Sequence, residues 1–105
     1  MTEKKKPTYD LDSFKAAFST ADALSLTFTA ARDAANLGYG KPEIVAVLQT
    51  MQPVHFYKSM TSHADYQVWQ DVYHVPSEVG VLYIKFTAGT VTVFRLLSFK
   101  EKDNG

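Results

Sequence analysis

The chain contains no cysteine, so neither a disulfide framework nor a thiolate metal site can hold it together, and its stability has to come from packing. No apolar run approaches the roughly 20 residues of a membrane span. The start, residues 1–7, carries Lys4, Lys5 and Lys6 with no apolar segment behind them, so neither secretion nor membrane insertion is expected and a cytoplasmic protein is. An excess of one charge is missing too, because 11 Lys and Arg face 11 Asp and Glu. A global positive field of the kind that draws proteins to nucleic acid is thereby excluded, and any RNA binding has to rest on a local patch. A Gly-rich phosphate loop, a GxSxG elbow and an HExxH helix are all absent. Nucleotide hydrolysis, serine hydrolase and zinc protease chemistry therefore lack their usual carriers.

What is present suits one domain spanning residues 1–105, with 1–8 expected to be flexible: 46% of the 105 residues are hydrophobic, enough for one core and too few for two. Asp10 or Asp12 can cap a first helix in which Phe14, Ala17, Phe18 and Ala21 recur at helical spacing. A short apolar and β-branched segment at 24–28 follows. Thr29 can cap a second helix running through Asn36 and Leu37, with Gly38 just past its end. Pro42 fits the first turn of a third helix, whose stripe is Ile44, Val47, Leu48 and Met51, and Pro53 stops it. From there the composition turns aromatic and β-branched, predicting four strands at 55–61, 68–75, 81–87 and 91–99. Residues 76–80 supply one turn, and Ala88-Gly89 reads as a tight hairpin turn. Helices first and antiparallel strands afterwards argue for an α+β domain with N-terminal helices packed on one face of an antiparallel β-sheet.

Strand alternation puts Leu82, Ile84 and Phe86 on one face as core, and Val81, Tyr83 and Lys85 on the other. A two-residue turn at Ala88-Gly89 would set Tyr83 opposite Phe94, with Thr92, Phe94, Leu96, Ser98 and Lys100 on the Tyr83 face. The three histidines, His55, His63 and His74, lack i, i+4 partners and a ligand cluster, so for each an ordinary exposed or satisfied role is the better expectation. What remains is a set of polar residues embedded in strands: Lys58, Gln70, Tyr83 and Lys100. A lysine between aromatics is often a snorkelling side chain at a sheet edge, and composition alone does not lift it further.

The order of residues is more specific. Phe-Tyr-Lys-Ser-Met-Thr at 56–61, Trp-Gln-Asp-Val-Tyr at 69–73, Val-Leu-Tyr-Ile-Lys at 81–85 and Ser-Phe-Lys-Glu-Lys at 98–102 together resemble the MqsR toxin family, and the stretch 29–38 is similar to that family's helix. The resemblance implies a RelE-like microbial ribonuclease fold, messenger RNA cleavage without a metal or other cofactor, and a cognate antitoxin of the MqsA type. That antitoxin would carry a zinc-binding part and a helix-turn-helix part, and operator DNA would be bound only through it. Carried over block by block, the family's proposed active-site residues fall on Lys58, Gln70, Tyr83 and Lys100, with Tyr57, Lys85 and Arg95 as neighbouring candidates for substrate contact. Two departures stand out: the stretch 86–97 is longer than the family pattern, and His74 stands where that pattern has arginine, which removes a guanidinium from any phosphate contact there.

Metal-free cleavage needs the ribose 2′-hydroxyl to attack phosphorus, with a base, an acid for the leaving 5′-oxygen and cations against the charge building on the phosphorane. Lys58 is cast as activating the 2′-hydroxyl or stabilising the phosphorane, Tyr83 as acid or phosphate donor, Lys100 as a countercharge and Gln70 as an orienting hydrogen-bond partner. An unperturbed lysine, with a pKa of about 10.4, is a poor base unless desolvation or a second lysine lowers it. The alternative function is a non-catalytic toxin-fold module that acts with its antitoxin in operon repression. Shared chemistry also conflicts with the tight turn, which would leave Lys100 roughly 20 Å along the sheet from the residue opposite Tyr83. The resemblance instead requires Lys58, Gln70, Tyr83 and Lys100 to converge on one concave surface, with the neighbours of Tyr83 drawn from 98–100.

Overall fold

A computed structural model describes residues 2–64, 67–89 and 93–103. Along the chain lie β1 (Glu3–Lys4), α1 (Leu11–Ala17), α2 (Phe28–Asn36), α3 (Lys41–Gln49), β2 (Phe56–Thr61), β3 (Trp69–Ser77), β4 (Gly80–Ala88) and β5 (Phe94–Glu101). The strands form one sheet in the order β1-β2-β3-β4-β5, with each neighbouring pair antiparallel. The α+β arrangement with helices ahead of the main sheet is as the composition shift predicts. A fifth strand is added by Glu3 and Lys4, which pair with Met60 and Ser59 in the stretch where the sequence pattern marked no element.

The helices start and stop for local reasons. Asp10 caps α1, its carboxylate accepting from the Ser13 amide at 2.9 Å. The cap of α2 is Thr27, two residues ahead of the expected Thr29, with its hydroxyl accepting from the Ala30 amide at 3.1 Å. Helix α2 ends as expected: Gly38 takes φ 87°, and the amides of Gly38 and Tyr39 donate back to Ala35 and Ala34, which is the pairing a left-handed residue past the helix end allows. Pro42 lies in the first turn of α3, where the Gly40 amide donates to Glu43 at 2.9 Å. Residues 24–28 do not build a strand of their own, but Leu26 bridges to Leu96 in parallel sense along the outer edge of β5.

The core lies between the helices and one sheet face. Phe14 of α1 stacks on Phe86 of β4, with ring centroids 3.7 Å apart, and meets Phe18 and Phe94 edge-on. Leu82, Ile84, Phe86, Tyr73, Val75, Leu96 and Phe99 complete the sheet side. Phe94 and Leu96, which a tight turn would put on the Tyr83 face, are core residues. The reason is the β4–β5 register. Ala88 pairs with Phe94 and Thr87 with Arg95, so the hairpin is closed by a longer loop that the Gly89 amide bonds across, to the Val93 carbonyl at 2.9 Å. The tight turn at Ala88-Gly89 is therefore overturned; its Thr90 and Thr92 lie outside the described residues. A bulge then absorbs one residue near Leu97, opposite the Lys85–Phe86 step, and exchanges the faces: Phe94 and Leu96 point inward before it, and Phe99 after it.

One carboxylate is fully buried with the core. Asp71 of β3 is 0% exposed and accepts from the amides of Thr8 (3.1 Å to each oxygen) and Tyr9 (2.9 Å). These bonds fasten the segment between β1 and α1 across the sheet and set up the Asp10 cap. Asp71→Ala is expected to leave two amides without acceptors and to cost about 2–4 kcal/mol; urea unfolding checks this, and a loss under 1 kcal/mol would contradict it.

Candidate active site on the open sheet face

Among the described residues no helix covers the other face of the sheet, and its residues come from the alternate positions of each strand. The register defines two cross-strand rows. In the first, Lys58 (β2), Val72 (β3), Lys85 (β4) and Ser98 (β5) lie side by side; in the second, His74 (β3), Tyr83 (β4) and Lys100 (β5) do. Tyr57 joins the second row through an irregularity between Phe56 and Lys58, and its ring stacks on His74 at 4.2 Å. The ammonium of Lys100 lies 5.4 Å from the centre of the Tyr83 ring, and His74 lies 6.0 Å from Tyr83 on the other side.

Three of the four principal candidates, Lys58, Tyr83 and Lys100, thus share one patch, and Tyr83 pairs directly with Lys100 as the resemblance requires. Gln70 is on the same face but opposite Met60, four residues along β3 from His74, which is about 13 Å. The structure thus separates Gln70 from the Tyr83–Lys100 pair. Lys85 occupies the centre, between the two rows' cations. Arg95 pairs with Thr87 and is exposed; that register puts it on the open face at the far end, again about 13 Å from the Tyr83 level. The face therefore gathers Lys58, Lys85, Arg95 and Lys100, and the Lys102 amide closes onto Val81 at its other end. A neutral chain has a local basic patch, made by register and invisible in the overall charge.

The charges differ in character. Lys58 donates to Glu3 of β1 at 2.9 Å, and this hydrogen bond, with the attraction of the same carboxylate, holds its pKa above the ordinary lysine value against the effect of burial. Lys58 is therefore fixed as a cation, unsuited to taking the proton from a 2′-hydroxyl. Lys85 moves the opposite way: half-burial first, and then Lys100 and Lys58, lower its pKa. Burial raises the pKa of Tyr83, although Lys58 opposes the rise, so its phenol stays protonated and can donate. His74 is pushed below its ordinary value by burial first, then by Lys102 and Lys58, so its ring is neutral near pH 7.

His74, which sequence reasoning reads as an ordinary histidine and as a departure from the family's arginine, packs between Tyr57 and Tyr83 on this face. Its place one step past the Trp-Gln-Asp-Val-Tyr block, on the same strand parity as Gln70, is the signal that puts it there. His55 behaves as an ordinary satisfied histidine, its Nδ1 accepting from the Gln52 amide at 3.0 Å, and His63 is exposed. Among the described residues no three His, Cys, Asp or Glu side chains stand together as a metal-binding group.

An antiparallel sheet with helices packed on one face, and with lysines, a protonated tyrosine and a neutral histidine gathered on the other, defines a class: small α+β proteins with a basic sheet face that can attract an anion. Comparison with known proteins narrows the class. Residues 6–101 match the family described as motility quorum-sensing regulator, toxin of MqsA. The chain is also 33% identical over 100 residues to the protein of Escherichia coli (strain K12) named mRNA interferase toxin MqsR, covering 95% of this chain and 99% of that one. The chain belongs to the MqsR toxin family.

The Glu3–Lys58 pair yields a test. Glu3→Gln is expected to lower the Lys58 titration midpoint, followed by NMR of the lysine side-chain carbons; an unmoved midpoint would contradict the pairing. Because Lys58 is raised in the folded state, stability from the pair is full below the ordinary lysine value and is lost as pH rises through the raised one. With Glu3 nearly half exposed, the loss of stability should stay under about 1 kcal/mol.

Proposed function

We propose that this chain is the toxin of a type II toxin–antitoxin pair, a metal-independent endoribonuclease that cuts messenger RNA and so arrests translation and growth. The observation that carries this beyond family membership is the cross-strand Tyr83–Lys100 pair flanked by Lys58 and Lys85 on a face that no helix covers among the described residues. A phosphate bound over this pair meets cations on three strands. Lys58, fixed as an ammonium, and Lys100, exposed beside Tyr83, offset the charge that builds on the phosphorane, with Lys85 between them. Tyr83, protonated, donates to the leaving 5′-oxygen. Gln70 orients the next nucleotide by hydrogen bonding, Tyr57, partly exposed and stacked on His74, borders the site, and Arg95 holds a more distant phosphate.

The name of the E. coli relative speaks of mRNA as its target, and the family description of MqsA as its partner; both carry to this chain. The substrate is mRNA, and the partner is an antitoxin of the MqsA type with a zinc-binding part and a helix-turn-helix part, through which operator DNA is reached. Among the described residues no helix is long and apolar enough to cross a membrane, and the cytoplasm is the compartment where substrate and partner meet. The fold is of the RelE-like ribonuclease kind.

Attack by the 2′-hydroxyl leaves a 2′,3′-cyclic phosphate and a 5′-hydroxyl. Induced expression should stop growth and shorten transcripts with those ends, and Lys58→Ala should relieve both. Cleavage by the purified protein should persist in chelator; full loss there would contradict the mechanism. Lys100→Ala should lower cleavage by about 10²-fold while keeping a cooperative thermal transition, since its side chain is exposed at the end of β5. If wild-type expression leaves growth and transcripts untouched, the nuclease function falls and a non-catalytic role in operon repression takes its place.

A further inference from the structure

A base is still missing from the residues given roles so far, since Lys58 is committed to Glu3 and Tyr83 is a donor. We infer that His74 is the general base of the cleavage reaction, taking the proton of the attacking 2′-hydroxyl from its place between Tyr57 and Tyr83 on the open sheet face. The inference rests on the ribonuclease function proposed above and adds a residue to it.

Position argues for this first. His74 pairs across the strands with Tyr83, which pairs with Lys100, so base, acid and phosphate cation lie on one row of three adjacent strands. Strand spacing puts about 5 Å between neighbours on such a row, the scale on which a single phosphodiester presents its 2′-oxygen on one side and its 5′-oxygen on the other. Orientation argues second. The His74 ring is stacked at 4.2 Å and 23° on Tyr57, which fixes its plane, while among the described residues neither ring nitrogen is taken up by a hydrogen bond. His55, by contrast, has given its Nδ1 to the backbone.

Charge argues third. The groups facing His74 are Tyr57 and Lys58 from β2, Tyr83 and Lys85 from β4, and Lys100 and Lys102 from the β5 side, with Glu3 of β1 bound to Lys58. None of its immediate neighbours is a carboxylate that would hold the imidazolium, and the lysines disfavour it. The ring is free to accept at neutral pH, and once protonated it is readily discharged.

The step balances. A ring nitrogen of His74 takes the 2′-hydroxyl proton, and the 2′-oxygen bonds to phosphorus. The bond from phosphorus to the 5′-oxygen breaks, and that oxygen takes the Tyr83 proton. The imidazolium then returns a proton to the Tyr83 oxygen through solvent, restoring both groups.

The test is the pH profile of single-turnover cleavage of an end-labelled mRNA fragment by the purified full chain. Wild type should gain activity with rising pH through one group that titrates below the ordinary histidine value, and the NMR titration of His74 in the same protein should coincide with that limb. His74→Gln should lose the limb and about 10²–10⁴-fold in rate. Imidazole should restore part of the activity of His74→Ala in proportion to its neutral form, and His63→Gln should behave as wild type. A limb that persists in His74→Gln, a rate within about threefold of wild type, or a His74 titration that fails to match the limb would overturn the assignment while leaving the nuclease intact. A wild type that cuts no RNA at any pH would remove the nuclease function itself, and this role with it.

Discussion

The candidate active surface depends on one constraint, the register between β4 and β5. A loop longer than a two-residue turn sets Ala88 opposite Phe94, and the bulge near Leu97 moves the chain on by one residue, so Tyr83 meets Lys100. Both devices are needed. Without the bulge, Phe99 would leave the core and Lys100 would enter it. The bulge is stabilised from outside the hairpin, since the Leu97 carbonyl accepts from the Thr27 hydroxyl and the Leu96 backbone exchanges bonds with Ser25 and Thr27. The N-cap of α2 is thereby also the clamp that fixes the strand bearing the outermost cation. Packing of one helix and chemistry on the opposite face are joined through a single threonine.

The two faces of β3 divide the labour in the same way. Asp71 and Tyr73 point to the helices, where Asp71 anchors the segment leading into α1, while Val72 and His74 point to the open face. The N-terminal segment joins the two sides: Thr8 and Tyr9 are tied to Asp71, and Glu3 of β1, paired with Met60, bonds to Lys58 on the open face. A carboxylate is thus spent on fixing one lysine as a permanent cation, and the remaining lysines make a field in which a histidine stays neutral. A fixed cation and a neutral imidazole thus share one sheet face.

Much of this was legible in the residues. Alternation in 81–87 placed Leu82, Ile84 and Phe86 inward and Tyr83 and Lys85 outward, and the helical spacing of Phe14 and Phe18 marked the surface that packs on them. The hairpin was harder, because Ala-Gly is a local signal while register is decided by which residues the core accepts. The parity change from Phe94 and Leu96 to Phe99 records the bulge, and it becomes decisive only once the helices are known to lie on that face. Strand β1 was illegible since two residues carry no period; its pairing comes from Ser59 and Met60 of β2, far along the chain. His74 was visible as a residue, but its cross-strand neighbours Tyr57 and Tyr83, from β2 and β4, were not.

The central claim is that RNA lies on the open face of the sheet, over the Tyr83–Lys100 row. It is tested most directly by NMR of the isotope-labelled protein with an RNA whose 2′-hydroxyls are methylated, so that it binds uncut. Perturbed signals should map to Tyr57, Lys58, His74, Tyr83, Lys85 and Lys100, fading toward Gln70 and Arg95. Perturbations centred instead on the helical side, around the groove between Tyr39, Glu43 and Pro76, with the His74 and Tyr83 signals unmoved, would contradict the account.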